Sequence, residues 1–214
     1  MKNCPLCNAP STMLPFFKDT TRDMREYIRC DVCSLVFVPP QYLLNPDDEK
    51  ARYDTHKNSE DNPGYMEFLA QMSDPLLTLL SEKSSGLDFG CGPGPCLSKH
   101  FERQGHTVDL YDVFYEDNQD VFNKTYDFVT TTEVVEHLYQ PGEVLDRVWN
   151  LVKPGGYLGV MTQPIPENFD TWWYKKDNTH VSFFHTKTFE YLMKKWGATQ
   201  VYQYKAVWIL KKAT

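Results

Sequence analysis

Long apolar runs are absent from this 214-residue sequence. No stretch approaches the roughly 18 consecutive apolar residues of a membrane-spanning helix, so we expect no membrane partner. The first residues lack the basic and apolar pattern of a secretory signal peptide, and we therefore expect a cytoplasmic protein. Internal repeats and low-complexity tracts are also missing, whereas 41% of the residues are hydrophobic. This length and composition are typical of one globular domain with a small appendage.

Basic residues are scarce, and the formal net charge is −7. The deficit lies in the middle of the chain, because residues 51–169 carry 8 Lys and Arg against 19 Asp and Glu, while residues 170–214 carry 8 against 3. A protein that follows a phosphate backbone needs a basic surface. The charge distribution therefore argues against a nucleic-acid partner, and only the C-terminal segment leaves room for an anionic substrate.

Four of the six cysteines form two C-x2-C pairs separated by 22 residues. In a reducing compartment such cysteines are metal ligands more often than disulfides. Four thiolates complete a tetrahedral Zn²⁺ shell that leaves no open position for catalysis, and a redox-active C-x-x-C would need a βαβ context that is lacking here. We predict a structural zinc ribbon over residues 1–40, with Cys91 and Cys96 uninvolved. The predicted ligands are Cys4, Cys7, Cys30 and Cys33.

Three glycines at alternate positions follow a short apolar stretch, residues 86–89, that has the composition of a buried strand. Residues 96–104 then have the pattern of a helix. Glycine permits positive φ and lets a ligand approach the backbone closely, and the N-terminus of a helix offers free N–H groups. We predict a nucleotide-like cofactor at this turn, with a tight loop that binds nothing as the alternative. The glycines are Gly90, Gly92 and Gly94, whose G-x-G-x-G spacing differs from the dinucleotide fingerprint.

Acidic residues follow the next two predicted strands. Residues 107–111 predict a strand that ends at Asp112, a position from which an acidic residue accepts hydrogen bonds from ribose hydroxyls in nucleotide-binding folds. A simple turn residue is the alternative interpretation. Residues 126–131 predict a third strand, and Glu133 and His137 follow its carboxyl end, where open α/β sheets bind their ligands.

Three motifs in this order resemble class I S-adenosylmethionine-dependent methyltransferases: DFGCGPG at residues 88–94, EVVEHL at residues 133–138 and LVKPGGY at residues 151–157. The resemblance covers residues 64–212, and together with the ribbon the chain is similar to a group of small bacterial methyltransferases. It implies an α/β fold with a Rossmann-like sheet of seven strands, the last one antiparallel. Only 13 residues, 113–125, separate the second strand from the third, so we expect this unit to be trimmed.

The resemblance also implies S-adenosylmethionine as the cofactor. The glycines would line its methionine and ribose, Asp112 would hold the ribose hydroxyls, and Glu133 would lie near its charged end. The predicted cofactor residues are Asp88, Gly90, Gly92, Gly94, Asp112 and Glu133. The trimmed unit lacks the strand whose end supplies an adenine ligand, and Asp117 or Asp120 is a substitute to consider.

Methyl transfer requires an acceptor atom held in line with the sulfonium, and a base where that atom must lose a proton. His180 and His137 are the predicted catalytic residues, with His180 favoured because it lies in a polar loop beside aromatic residues. His56 and His185 are weaker candidates, and packed or capping histidines are the alternative for each. The aromatic residues 172–174 are interpreted either as a substrate wall or as an ordinary hydrophobic lid.

We divide the chain into the ribbon at residues 1–40, a linker or lid segment at 41–64 and a methyltransferase domain at 65–214. The favoured hypothesis is methyl transfer to a small-molecule acceptor, with the ribbon structural. One alternative is an RNA or protein methyltransferase that binds its substrate through the ribbon. Another is a zinc-organised binding module that has lost its chemistry.

Overall fold

The computed structural model describes residues 3–10, 15–20, 24–55 and 58–214. His56 therefore lies outside the described residues. None of the helices within these ranges has the length and apolar character needed to cross a membrane. In chain order the elements are β1 (Pro15–Lys18), β2 (Glu26–Arg29), β3 (Val36–Phe37), α1 (Pro46–Tyr53), α2 (Pro63–Leu77), β4 (Ser85–Phe89), α3 (Cys96–Arg103), β5 (Thr107–Tyr111), β6 (Tyr126–Thr132), α4 (Pro141–Leu151), β7 (Val152–Met161), β8 (Ser182–Phe183), α5 (Thr186–Trp196), β9 (Thr199–Tyr204) and β10 (Val207–Lys211).

The larger sheet has the strand order β5-β4-β6-β7-β10-β9. Strands β4, β5, β6 and β7 run parallel to one another, and β10 runs antiparallel to both β7 and β9. The Rossmann-like α/β prediction is confirmed, but in the described residues the sheet has six strands rather than the seven that the resemblance implied. A short helical turn, Gln119–Asn123, lies between β5 and β6 in place of the missing strand. The prediction of a trimmed unit is confirmed.

Both faces of this sheet are covered, and alternate side chains along the strands separate the two cores. Phe128 packs with α2 and α3, whereas Val129 packs with α4 and α5. On β10, Ile209 packs in the same core as Phe128, and Trp208 packs in the same core as Val129. Because side chains of a strand alternate between faces, the apolar run of each central strand is explained by burial on both sides.

Two local features lie within regular elements. Residues 153–156 form a bulge inside β7, where the partner register shifts from Val152 to Tyr157 and Gly155 adopts a φ of +78°. Helix α2 contains Pro75 and continues through it.

The N-terminal ribbon forms a second sheet with the order β1-β2-β3-β8. Its last strand comes from the C-terminal half of the chain, because Val36 pairs with Phe183 in an antiparallel arrangement. The Arg25 side chain, which is 3% exposed, donates hydrogen bonds to the carbonyl oxygens of Asp177 (3.3 Å) and His180 (3.0 Å). The ribbon is therefore built onto the segment that lies between β7 and α5.

The ribbon also shares the hydrophobic core with the main sheet. Leu35 and Phe37 are buried in the same cluster as Phe184 and the side chains of α4 and α5. At the start of α4, the N–H of Gly142 donates to the carbonyl oxygen of Pro5 (3.1 Å). This close approach leaves no room for a side chain, since a Cβ on Gly142 would lie 2.3 Å from the Leu6 carbonyl oxygen.

The segment at residues 41–64 contains α1, a helix that the sequence analysis did not predict. Its side chains are exposed or half-buried, and Asn45 caps it by accepting a hydrogen bond from the Asp48 N–H (2.9 Å). Arg52 donates to Asp177 (2.7 Å) on one side, and Tyr115 donates to Asp54 (2.6 Å) on the other. Polar contacts thus hold this helix across the carboxyl ends of the strands.

Gly142→Ala tests the contact between the ribbon and α4. We expect the added methyl group to lower the free energy of unfolding by about 1–3 kcal/mol, because backbone atoms must move to admit it. Gly64→Ala is the matched control, since its Cβ meets only Asn62 Oδ1 at 3.5 Å within a helix, and it should be neutral or stabilising. Thermal and urea unfolding of both variants measure the difference, and equal stability would contradict the packing described here.

Candidate functional site

A cavity of about 720 Å³ opens at the carboxyl ends of β4, β5 and β6. The glycine turn after β4 and Asp112 form one part of its wall, and His137 and His180 form another. Helix α1 contributes side chains across the opening. The carboxyl edge of the parallel strands therefore brings the predicted cofactor turn and the predicted catalytic histidines into one space, as expected for an open α/β sheet.

Two glycines of the turn have positive φ, for different reasons. Gly90 (φ +81°) lies under Val134, and a Cβ there would be 2.3 Å from a Val134 methyl carbon. Gly92 (φ +63°) lines the cavity, and a Cβ there would meet no atom within 4 Å in the described structure. Gly94 instead packs against the backbone of Asn58. Gly92 is thus the glycine whose missing side chain leaves space for a ligand.

The two aspartates of the predicted cofactor set occupy different environments. Asp112 lines the cavity, where its Oδ2 accepts from the Gly92 N–H (3.0 Å) and its Oδ1 from the Phe114 N–H (2.9 Å). Asp88 is buried behind the turn, accepts from Thr130 Oγ1 (2.9 Å), and has its pKa raised to about 6 by burial. Asp112 therefore faces the cavity, whereas Asp88 lies behind the glycine turn.

The adenine-ligand candidates in the trimmed unit are not brought into the site. Asp117 and Asp120 are exposed and lie outside the cavity wall. The residues after Asp112 that do reach the wall are Val113, Phe114 and Tyr115.

Two neighbouring glutamates, Glu133 and Glu136, lie after β6. Glu133 is half-buried and adopts a φ of +53°, with its Oε2 3.1 Å from the Tyr174 hydroxyl oxygen, while its buried Oε1 has no hydrogen-bond partner among the described residues. Glu136 is fully buried and accepts from Thr162 Oγ1 (2.9 Å) and from the same Tyr174 hydroxyl. Burial raises the pKa of both carboxyl groups, and the charge of Glu136 raises that of Glu133 further.

The two predicted catalytic histidines face each other, with ring centroids 4.7 Å apart. His137 Nδ1 lies 3.1 Å from the carbonyl oxygen of Thr179, and His180 Nδ1 lies 2.7 Å from that of Tyr174. A carbonyl oxygen only accepts, so each neutral ring carries its proton on Nδ1 and has its lone pair on Nε2. Burial lowers the pKa of His180 to about 4, which keeps this ring neutral at pH 7.

His137 and His185 differ in the groups that lie next to their rings. His137 Nε2 lies 3.9 Å from Glu136 Oε1, so a proton gained by His137 would be close to a carboxylate. His185, a weaker candidate, lies outside the cavity wall and caps α5 by accepting from the Lys187 N–H (3.0 Å). Its role is the capping one that the sequence analysis gave as the alternative.

Glu49, Tyr53 and Tyr139 are among the cavity residues that the sequence analysis missed. Glu49 and Tyr53 come from α1, and Tyr139 follows the turn after β6. The Tyr53 hydroxyl donates to Glu49 Oε1 (2.6 Å), and the Tyr139 hydroxyl lies 3.2 Å from Glu49 Oε2. Helix α1 carries no apolar periodicity, and this is why its contribution could not be read from the sequence.

The aromatic residues 172–174 do not form the predicted substrate wall. Trp172 packs against Phe169 and Phe183 on the ribbon sheet, and Trp173 is 64% exposed. Tyr174 is buried behind the histidines, where its hydroxyl serves the glutamate pair. Trp172 is thus an ordinary hydrophobic residue, as the alternative interpretation proposed. Tyr174 instead contributes a hydroxyl group that contacts the glutamates beside the cavity.

The four cysteines of the predicted ribbon are brought together. The sulfur atoms of Cys4 and Cys33 lie 3.5 Å apart, as do those of Cys7 and Cys30, and all four lie within 4.8 Å of one another. A tetrahedral Zn²⁺ with Zn–S bonds near 2.3 Å separates its sulfur ligands by roughly 3.8 Å. The donor set and its spacing therefore fit zinc.

A family profile described as a methyltransferase domain matches residues 60–203, which is more than half of the chain. The chain belongs to this methyltransferase family. The profile spans the glycine turn, Asp112 and both cavity histidines.

Curated relatives match a shorter part of this methyltransferase. The ubiquinone biosynthesis O-methyltransferase of Pectobacterium atrosepticum is 35% identical over 88 residues, covering 41% of this chain and 36% of the relative. The enzyme of the same name from Pseudomonas savastanoi is 32% identical over 78 residues, covering 36% and 34%. The matched part is thus about a third of the length of these relatives.

Solved methyltransferases share the fold of this one. A Burkholderia thailandensis 1,6-didemethyltoxoflavin-N1-methyltransferase, bound to 1,6-didemethyltoxoflavin and S-adenosylhomocysteine, superposes with a TM-score of 0.57 at 17% identity, covering 94% of this chain and 99% of that one. The N-methyltransferase NodS of Bradyrhizobium japonicum, bound to S-adenosylhomocysteine, gives a TM-score of 0.52 at 15% identity, covering 78% and 98%. The fold is that of S-adenosylmethionine-dependent methyltransferases.

Asp112→Ala and Gly92→Val test the cofactor side of the cavity. Loss of charge-assisted hydrogen bonds should weaken binding of S-adenosylhomocysteine by about 1–3 kcal/mol in Asp112→Ala. Gly92→Val should weaken it more, because a branched side chain fills the open space and strains a residue of positive φ. Isothermal titration measures both, with Asp120→Ala as an exposed control. Parental affinity in both variants would show that the cofactor binds elsewhere.

Proposed function

We propose that this protein transfers a methyl group from S-adenosylmethionine to a small-molecule acceptor and carries one structural zinc ion. The observation that supports this function is the single cavity in which an open glycine turn and Asp112 face a pair of histidines. The curated relatives that match part of the chain are named O-methyltransferases of ubiquinone biosynthesis, which supports a biosynthetic small-molecule acceptor. A cavity of this size suits a small-molecule acceptor better than an extended macromolecule.

The residues of the wall fit this cofactor. Gly92 leaves open space beside the turn, and Asp112 presents a carboxylate whose orientation is fixed by backbone N–H groups. We assign Asp112 to the ribose hydroxyls. The buried Glu133 Oε1, which lacks a hydrogen-bond partner within the described structure, is assigned to the cationic end of the cofactor. A cation there would offset the desolvation that raises the pKa of Glu133.

When bound, S-adenosylmethionine supplies an activated methyl group on its sulfonium. The protein residues then hold the acceptor in line and accept its proton. We assign the proton to His137 Nε2, because Glu136 lies 3.9 Å away and would stabilise the imidazolium. His180, with its pKa lowered to about 4, is a weak base, and we assign it to orienting the acceptor through a hydrogen bond to its Nε2.

The zinc ion would act through the ribbon rather than in the chemistry. A closed shell of four thiolates leaves no position for a substrate, and metal binding contributes folding free energy to a segment too small to fold alone. The ribbon sheet in turn pairs with β8, two residues beyond His180. Zinc is thus proposed to brace the segment that carries one of the cavity histidines.

Titration with S-adenosylmethionine and S-adenosylhomocysteine, followed by transfer of a labelled methyl group to a panel of small-molecule acceptors, tests the proposed function. Micromolar binding and methylated product are expected. A folded protein that binds neither compound would refute the function, and methylation of RNA or protein substrates alone would favour a macromolecular acceptor.

His137→Asn and His180→Asn separate the two histidine roles. We expect kcat to fall by roughly 10²–10⁴-fold in His137→Asn, the usual effect of losing a general base. His180→Asn should chiefly raise KM for the acceptor, by about tenfold. His185→Asn is the control, because it lies outside the cavity and asparagine still caps a helix. Equal effects of the first two variants on kcat would contradict the assignment.

Cys30→Ser tests the metal site. The parent should hold one zinc per chain, and the variant should lose it and melt at a lower temperature, because one ligand of a closed shell is missing. The shared core predicts that acceptor turnover falls as well, since the His180 segment rests on the ribbon. Cys96→Ser, a buried cysteine outside the cluster, should keep its zinc. Mass-spectrometric metal analysis decides, and full zinc in Cys30→Ser would refute the ligand set.

A further inference from the structure

The cavity wall carries charge of one sign. The acidic side chains that line it in the described part of the chain are Glu49, Asp112 and Glu133, and no Lys or Arg of that part lines it. Glu49 and Asp112 carry the negative charge, because burial and Glu136 raise the pKa of Glu133. The basic C-terminal segment contributes only His180 to the wall. The anionic substrate for which residues 170–214 left room is therefore not supported, because a carboxylate or phosphate group would enter a cavity of like charge.

Glu49 is the carboxylate that the cofactor does not use in the proposed function, on which this inference rests. It projects from α1 and is approached by two tyrosine hydroxyls, Tyr53 at 2.6 Å from Oε1 and Tyr139 at 3.2 Å from Oε2. The Tyr139 hydroxyl has a single proton and lies closer to the carbonyl oxygen of Leu44, at 2.9 Å. Glu49 Oε2 therefore keeps capacity to accept a hydrogen bond from a ligand.

Tyr53 and Tyr139 also favour a bound cation, in addition to the carboxylate of Glu49. Burial and the charge of Glu49 raise the pKa of Tyr139 to about 12, so its hydroxyl stays a protonated donor at neutral pH. Both rings line the cavity, and the faces of aromatic rings attract ammonium groups within about 6 Å. The Tyr53 ring also lies 5.1 Å from the His137 ring, which places this group of residues beside the proposed base.

We propose that Glu49, Tyr53 and Tyr139 form a subsite for a protonated amino group of the acceptor. An ammonium ion has no lone pair with which to attack the methyl group. The methylated atom is therefore a second, neutral group of the same molecule, held next to His137. The acceptor class is a small amine-bearing compound rather than a carboxylate or a phosphate ester.

Three probes of matched shape test the subsite: tyramine, 4-ethylphenol and 4-hydroxyphenylacetate, which differ in carrying a cationic, a neutral or an anionic end. Each is titrated into the full chain saturated with S-adenosylhomocysteine, so that binding is measured without turnover. We expect tyramine to bind at least tenfold more tightly than either of the others. Absent tyramine binding, or anionic binding as tight as cationic, overturns the subsite.

Glu49→Gln localises the effect. This change keeps an acceptor for the tyrosine hydroxyls but removes the charge, and we expect tyramine affinity to fall about tenfold while 4-ethylphenol affinity stays within twofold. Asp47→Asn removes the same charge from an exposed position of the same helix and should change neither. An unchanged tyramine preference in Glu49→Gln refutes the assignment. Failure of the parent to bind S-adenosylhomocysteine would instead refute the proposed function.

Discussion

The backbone segment that carries Tyr174 and His180 is fixed from two directions, and the geometry of the cavity depends on it. Its C-terminal end forms β8, which pairs with β3 of the ribbon. On its other side, the Val181 N–H donates to the carbonyl oxygen of Glu136 (2.8 Å), which belongs to the turn after β6. The ribbon and the main sheet together therefore determine where the two histidines meet.

This arrangement explains why the ribbon is packed so closely against the rest of the chain. Arg25 spans the contact by donating from the ribbon to backbone carbonyl groups on both sides of the His180 loop. The hydrogen bonds from this buried guanidinium to two carbonyl oxygens help to fix the path of that loop. The ribbon thereby becomes a part of the site's scaffold, although its cysteines lie outside the cavity.

Buried acidity is the second feature of the site. The Glu133–Glu136 pair, the Tyr174 hydroxyl and Thr162 form a polar network at the end of β6 and β7, and Glu133 adopts a backbone conformation that is unfavourable for a side chain larger than glycine. Such strain and desolvation are found where a ligand or a reaction supplies the compensating interaction. Glu49 of α1 adds a further acidic side chain to the cavity wall, which favours positively charged ligands over anionic ones.

Local sequence determined the elements whose chemistry is local. The glycine turn, the strand ending at Asp112 and the two C-x2-C pairs were recognisable because backbone freedom, alternating burial and thiolate spacing are properties of a few consecutive residues. The trimmed unit between β5 and β6 followed from chain length alone, and it explains why the sheet has six strands in the described residues rather than seven.

Only the tertiary structure decided how distant segments meet. Helix α1 has a polar composition and is positioned by contacts to Asp177 and Tyr115. Its sequence has no apolar periodicity, and the cavity-lining positions of Glu49 and Tyr53 could therefore not be predicted. Tyr174 was interpreted as part of a substrate wall or a hydrophobic lid because its neighbours in sequence are aromatic. In the structure its hydroxyl instead contacts two glutamates some 40 positions earlier in the chain. The sequence by itself determined the fold class and the position of the glycine turn, because those depend on short-range patterns. The acceptor side of the cavity depends on long-range packing. The environment of each side chain there is determined by residues that are distant in the sequence, and local sequence patterns do not identify them.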